Sequence, residues 1–89
     1  MTTQQREQIR LSLMRYCEAA QPFGLGAGLL FQFIRSEGFR AATAEQLAAE
    51  LDYLGDKNFL APVAKALSPE NRVWRITAAG RDFLAEQQL

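Results

Sequence analysis

The chain of 89 residues reads as a mainly helical α+β domain: three helices, a β-hairpin and a closing helix, in the order α-α-α-β-β-α. Three stretches predict this. Residues 51–60, LDYLGDKNFL, form the end of a leucine-spaced helix that stops on Asn58, a residue able to take the left-handed conformation. Ser68-Pro69-Glu70-Asn71 is turn chemistry between two apolar runs, because proline pre-sets its own φ while serine and asparagine bond locally. Residues 73–84, VWRITAAGRDFL, alternate as a strand and then pass through Thr77, a helix-capping residue, into the last helix.

The first helix is expected from about Gln4 to Ala20, with Ile9, Leu13, Cys17 and Ala20 as its buried stripe and Leu11, Met14 and Tyr16 beside it. Pro22 ends it, since the residue before a proline is pushed out of helical conformation. The run QPFGLGAG is read as a flexible connection with no strand before it, leading to a second helix from Ala27 to Ser36. Leu30, Phe33 and Ile34 form its inward face, Gly38 its left-handed stop and Phe39 a plug behind that stop. Thr43-Ala44-Glu45-Gln46 is a capping box opening a third helix, in which Leu47, Leu51 and Leu54 face inward. The short GFRAA connection suits a helix-turn-helix.

Strands are expected over Phe59–Leu67 and Arg72–Ile76, with Pro62 on an open edge because it cannot donate to a ladder. A four-residue tip at 68–71 sets Val63 opposite Ile76 and Lys65 opposite Trp74, leaving Ala64 and Arg75 on the other face. Thr77 caps the final helix, where Ala79, Phe83 and Leu84 pack inward. The chain makes a single domain, 1–89, without repeats, low-complexity tracts or linkers.

Composition narrows the function classes. At 48% hydrophobic and 22% charged residues the chain is ordinary globular protein. One cysteine and no histidine leave no disulfide framework and no metal-ligand pattern. The polar start TTQQREQ argues against a signal peptide, and Phe23–Phe31, interrupted by glycines, is far short of the roughly 20 residues of a membrane span. A cytoplasmic protein that spans no membrane is expected. Gly24-Leu25-Gly26-Ala27-Gly28 lacks the spacing of a phosphate loop or dinucleotide fingerprint. Paired carboxylates are placed only on exposed helical faces, and no nucleophile, base and orienter assemble, so neither an enzyme nor a cofactor is expected. Cys17 is read as a small core residue, and Trp74 as the side chain that packs the hairpin onto the helices.

LDYLGDKNFL and VWRITAAGRDFL resemble the C-terminal half of small bacterial and phage winged helix-turn-helix proteins, with their "LxxLxxKGL" and "IT–x–x–G" patterns. The resemblance covers about half the chain, strongest over residues 43–86, and departs from the pattern at Asn58, where such proteins usually carry glycine. It implies that the third helix reads the DNA major groove and the hairpin touches phosphates, as in a small transcriptional regulator of bacterial or prophage origin acting as a homodimer. Carried onto this sequence, Thr43, Glu45 and Gln46 are candidates for base contacts, and Arg40, Lys65, Arg72 and Arg75 for phosphates.

Charge opposes that implication. Lysine plus arginine and aspartate plus glutamate each number 10, for a net charge of zero. Glu45, Glu50, Asp52 and Asp56 crowd the third helix against Lys57 alone, whereas affinity for DNA comes largely from neutralising phosphates. The alternative is an interaction module whose acidic third helix meets a basic protein partner. Orientation discriminates the two: carboxylates lining the hairpin-side groove argue for protein, and carboxylates turned away from it permit DNA.

Overall fold

The computed structural model describes residues 1–63 and 72–87. It is a mainly helical α+β fold: α1 (Thr3–Ala19), β1 (Leu25–Gly26), α2 (Ala27–Ser36), α3 (Ala44–Asp56), β2 (Leu60–Pro62), β3 (Val73–Ile76) and α4 (Ala78–Gln87). Four helices thus surround a small antiparallel sheet in the order β1-β3-β2.

Local chemistry sets the helix boundaries. Thr2 opens α1 through a capping box with Gln5, and Thr43 opens α3 through one with Gln46. The two left-handed positions fall where expected: Gly38, at φ 117°, behind α2, and Asn58, at φ 63°, behind α3. Asn58 supplies the reversal without glycine, and the Phe59 amide then bonds the Leu54 carbonyl at 3.0 Å. That closes α3 and sends the chain directly into β2.

Ile9, Leu13 and Cys17 of α1, Leu30 and Ile34 of α2, and Leu47, Leu51 and Leu54 of α3 meet in one core with Leu60, Trp74, Ile76 and Leu84. Met14, expected only beside the stripe, is fully buried with them, whereas Phe33 and Ala20 are half-buried. Trp74, 4% exposed, holds the sheet against the helices, and its ring lies where a Cβ at Gly55 of α3 would come within 3.1 Å.

Several expectations are corrected. The connection before α2 contains a strand: Leu25 pairs with Trp74 and Gly26 with Val73. Two residues are too short to show a period, so β1 exists because tertiary packing lays it beside β3. Gly24 is required there, since a Cβ would meet the Trp74 carbonyl oxygen at 2.6 Å. The hairpin register also differs, with Leu60 opposite Ile76, Ala61 opposite Arg75 and Pro62 opposite Trp74. Leu60, two residues after the Asn58 reversal, drops into the core, which fixes the pairing from the helix end. The expected tip at 68–71, the strand beyond residue 63 and the Lys65 and Ala64 pairings lie outside the described residues. Pro62 does sit on an edge strand, as expected.

In α4, Ala79 is exposed, and the buried positions are Gly80 and Leu84. Gly80 lies against the Phe59 carbonyl oxygen, leaving no space for a side chain. Thr77 anchors the same junction: its hydroxyl donates to the Asn58 carbonyl at 2.5 Å, with the Phe59 carbonyl at 3.1 Å, and accepts from the Gly80 amide at 3.1 Å. Among the described residues, no helix is long and apolar enough to cross a membrane.

Candidate binding surface on the third helix

The surface is built from the outward side of α3 and what flanks it. Glu45, Ala49, Asp52 and Asp56 recur at spacings of four, three and four, so they share one stripe of the helix, and all four are exposed. That stripe is a row of carboxylates with one alanine among them, and Ala44, Ala48 and Tyr53 are exposed beside it.

Glu50 does not belong to that row. It is 2% exposed, and its carboxylate is held by two guanidinium groups from α1. Arg6 Nε donates to Oε1 at 2.9 Å and Arg10 Nε donates to Oε2. Arg10 also lies over the Tyr53 ring, 3.8 Å from its centroid. This overturns the expectation that the carboxylates occupy only exposed faces. A signal for it was present: Glu50 lies three residues after Leu47 and four before Leu54, on the inward stripe. Arg6 and Arg10, one turn apart on α1, carry the opposite charge. Part of the acidity of α3 is thus spent on clamping α3 to α1, and what remains outside is Glu45, Asp52 and Asp56.

Beside the stripe, α2 and α3 leave an open groove of about 460 Å³. Ala27, Gly28 and Phe31 line one wall, and Ala44, Leu47, Ala48 and Leu51 the other, with Glu45 at the mouth. The groove continues past Ala48 and Leu51 into a hollow of about 90 Å³, where Asp52, Arg72 and Trp74 take over. Carboxylates therefore stand at both ends of an apolar channel on the side facing the sheet.

The residues expected to contact nucleic acid do not converge. Arg40 is exposed in the α2–α3 connection. Thr43 and Gln46 spend their side-chain oxygens on the capping box, with the Thr43 hydroxyl accepting from the Gln46 amide at 3.1 Å and the Gln46 carbonyl accepting from the Thr43 amide at 2.9 Å. Glu45 is exposed at the groove mouth. Arg72, half-buried, lies beside Asp52, at 3.5 Å, with its guanidinium 5.5 Å from the centre of the Trp74 ring. Arg75, opposite Ala61, is exposed on the other face of β3, because successive strand residues alternate. The two arginines of the hairpin thus serve different surfaces, and Lys65 lies outside the described residues.

Away from α3, Tyr16 and Ser12 of α1 both donate to the Glu37 carboxylate behind α2. Burial, followed by that hydrogen bond, pushes the Tyr16 phenol up to about 12. Burial alone pushes the Cys17 thiol up to about 12, leaving it protonated and chemically quiet. Among the described residues, no group of three or more potential metal ligands comes together. No family model matches the chain, and no curated protein resembles it in sequence.

Proposed function

We propose that this chain is a winged-helix domain serving as a protein-interaction module, with the outward face of α3 as its contact surface. The order helix, short strand, two helices, hairpin and helix, with a sheet ordered β1-β3-β2, supports the winged-helix reading. The observation that carries the functional reading is the row Glu45, Asp52 and Asp56 on the exposed stripe of α3, at the position that would have to enter a DNA groove. Phosphates repel such a face, whereas lysines and arginines of a protein partner complement it. An apolar groove bordered by that charge adds the anchor that a polar surface by itself lacks.

Duplex DNA is the second reading. It is favoured by the exposed Arg40 and Arg75, which are free to meet phosphates. Fluorescence anisotropy of a labelled mixed-sequence duplex, titrated at low salt and again as salt is raised, separates the two. The interaction-module reading expects no salt-sensitive association, and the same isotherm for Arg75→Glu as for the parent chain. Tight low-salt binding that weakens steeply with salt, with a slope flattened by about 1 unit in Arg75→Glu, would establish the DNA reading instead.

A further inference from the structure

We infer that the groove between α2 and α3 receives a short basic amphipathic helix from a partner protein, with aliphatic side chains in the channel and a lysine or arginine over each end. This rests on the reading of α3 as a protein-binding face and specifies its ligand. The shape of the groove points to a helix. Ala27, Gly28, Ala44 and Ala48 keep the rims low, so a second backbone can approach, while Phe31, Leu47 and Leu51 supply an apolar floor. A channel of about 460 Å³ holds more than one aliphatic side chain, as the anchors of a helix laid in a groove require.

Charge complementarity selects the occupant. Glu45 stands at one end of the channel and Asp52 at the other, seven residues apart on α3. Two turns of helix separate them, about 10 Å along the axis. A ligand helix lying along α3 meets both carboxylates when its own basic residues are seven apart, with aliphatic residues three and four positions after the first. Asp52 is available for this, because its contact with Arg72 is a single long one of 3.5 Å and its own side chain is 65% exposed. An acidic or neutral helix gains the apolar contact but leaves the carboxylates unmatched, and a nucleic acid gains neither.

The test is selection with the full chain as bait from a displayed library of random peptides roughly 16 residues long, enough to form a helix. Affinities of the enriched peptides are then measured for three proteins: the parent chain, Ala48→Trp and the double variant Glu45→Lys/Asp52→Lys. Ala48 is exposed, so the tryptophan fills the channel without entering the core, and unchanged melting of both variants checks that they fold. The expected result is enrichment of peptides with basic residues bracketing an aliphatic pair, and at least about tenfold weaker binding to each variant. If charge reversal weakens binding and Ala48→Trp does not, the groove is overturned while the acidic-face reading stands. Enriched peptides that are neutral or acidic overturn the charge assignment. No reproducible enrichment, together with salt-sensitive duplex binding by the parent chain, overturns both this inference and the function on which it rests.

Discussion

Glu50 shows how one side chain can change what a helix offers to solvent. A carboxylate 2% exposed is tolerable only because two guanidiniums satisfy both of its oxygens. Replacing it by glutamine keeps the shape and removes the charge, stranding Arg10, whose side chain is 20% exposed. Because Arg6 and Arg10 can partly rehydrate, Glu50→Gln is expected to cost about 2–3 kcal/mol, at or below the low end for breaking a buried pair. Urea denaturation measures this, and an unchanged midpoint would show that the pair contributes nothing. Cys17 and Tyr16 make a second prediction. Both groups are held protonated in the fold, their values raised from 9.0 and 10.0 to about 12. Between those limits the unfolded chain gives up protons that the folded chain keeps, so stability falls as pH rises through that window. At pH 9 the native thiol should resist an aromatic disulfide reagent that reacts at once in denaturant. Equal rates in both conditions would place Cys17 at the surface.

Among the elements, the junctions matter more than the helix interiors. The passage from α3 through Asn58 into β2, and from β3 through Thr77 into α4, brings Phe59 and Gly80 into contact. Phe59 also stacks on Phe83 of α4, with ring centres 4.8 Å apart. Gly80→Ala must displace the Phe59 carbonyl, and the expected cost is about 1–3 kcal/mol, typical of overpacking, despite alanine's better helix propensity. Thermal unfolding checks it, and a variant as stable as the parent would mean that α4 can shift away from β2. These junctions were partly legible. The left-handed stop at Asn58, the caps at Thr43 and Thr77 and the span of α2 follow from local chemistry. The glycine at the Phe59 contact did not, since a helical glycine looks the same in sequence whether it is exposed or pressed against another element.

In the molecule as a whole, Trp74 joins the three-stranded sheet to the helices. Its backbone pairs with β1 and β2, its ring packs beside Gly55 of α3, and its carbonyl oxygen is 3.8 Å from the Cys17 sulfur of α1. Trp74→Ala should therefore loosen every layer together and cost about 3–5 kcal/mol, the range for removing a large buried aromatic side chain. Near-ultraviolet circular dichroism and melting temperature report it, and a small local loss would place the ring at the margin of the core. The charge pattern belongs to this scale too. The chain is neutral, yet α3 keeps three exposed carboxylates while the two described arginines of the hairpin face opposite ways.

Sequence alone carried whatever depends on neighbours within a few residues: helix caps, the two left-handed reversals, the leucine stripes and the mainly helical α+β class. These follow from steric limits on φ and from the 3.6-residue period, which act wherever the chain goes. Packing settled the remainder. The two-residue strand Leu25–Gly26 forms only against β3, and the hairpin register follows Leu60 into the core. Burial of Glu50 requires α1 to bring Arg6 and Arg10 across forty or more residues. The groove between α2 and α3, with a carboxylate at each end, arises from how two helices lie side by side, and spacing along one chain segment does not encode that geometry.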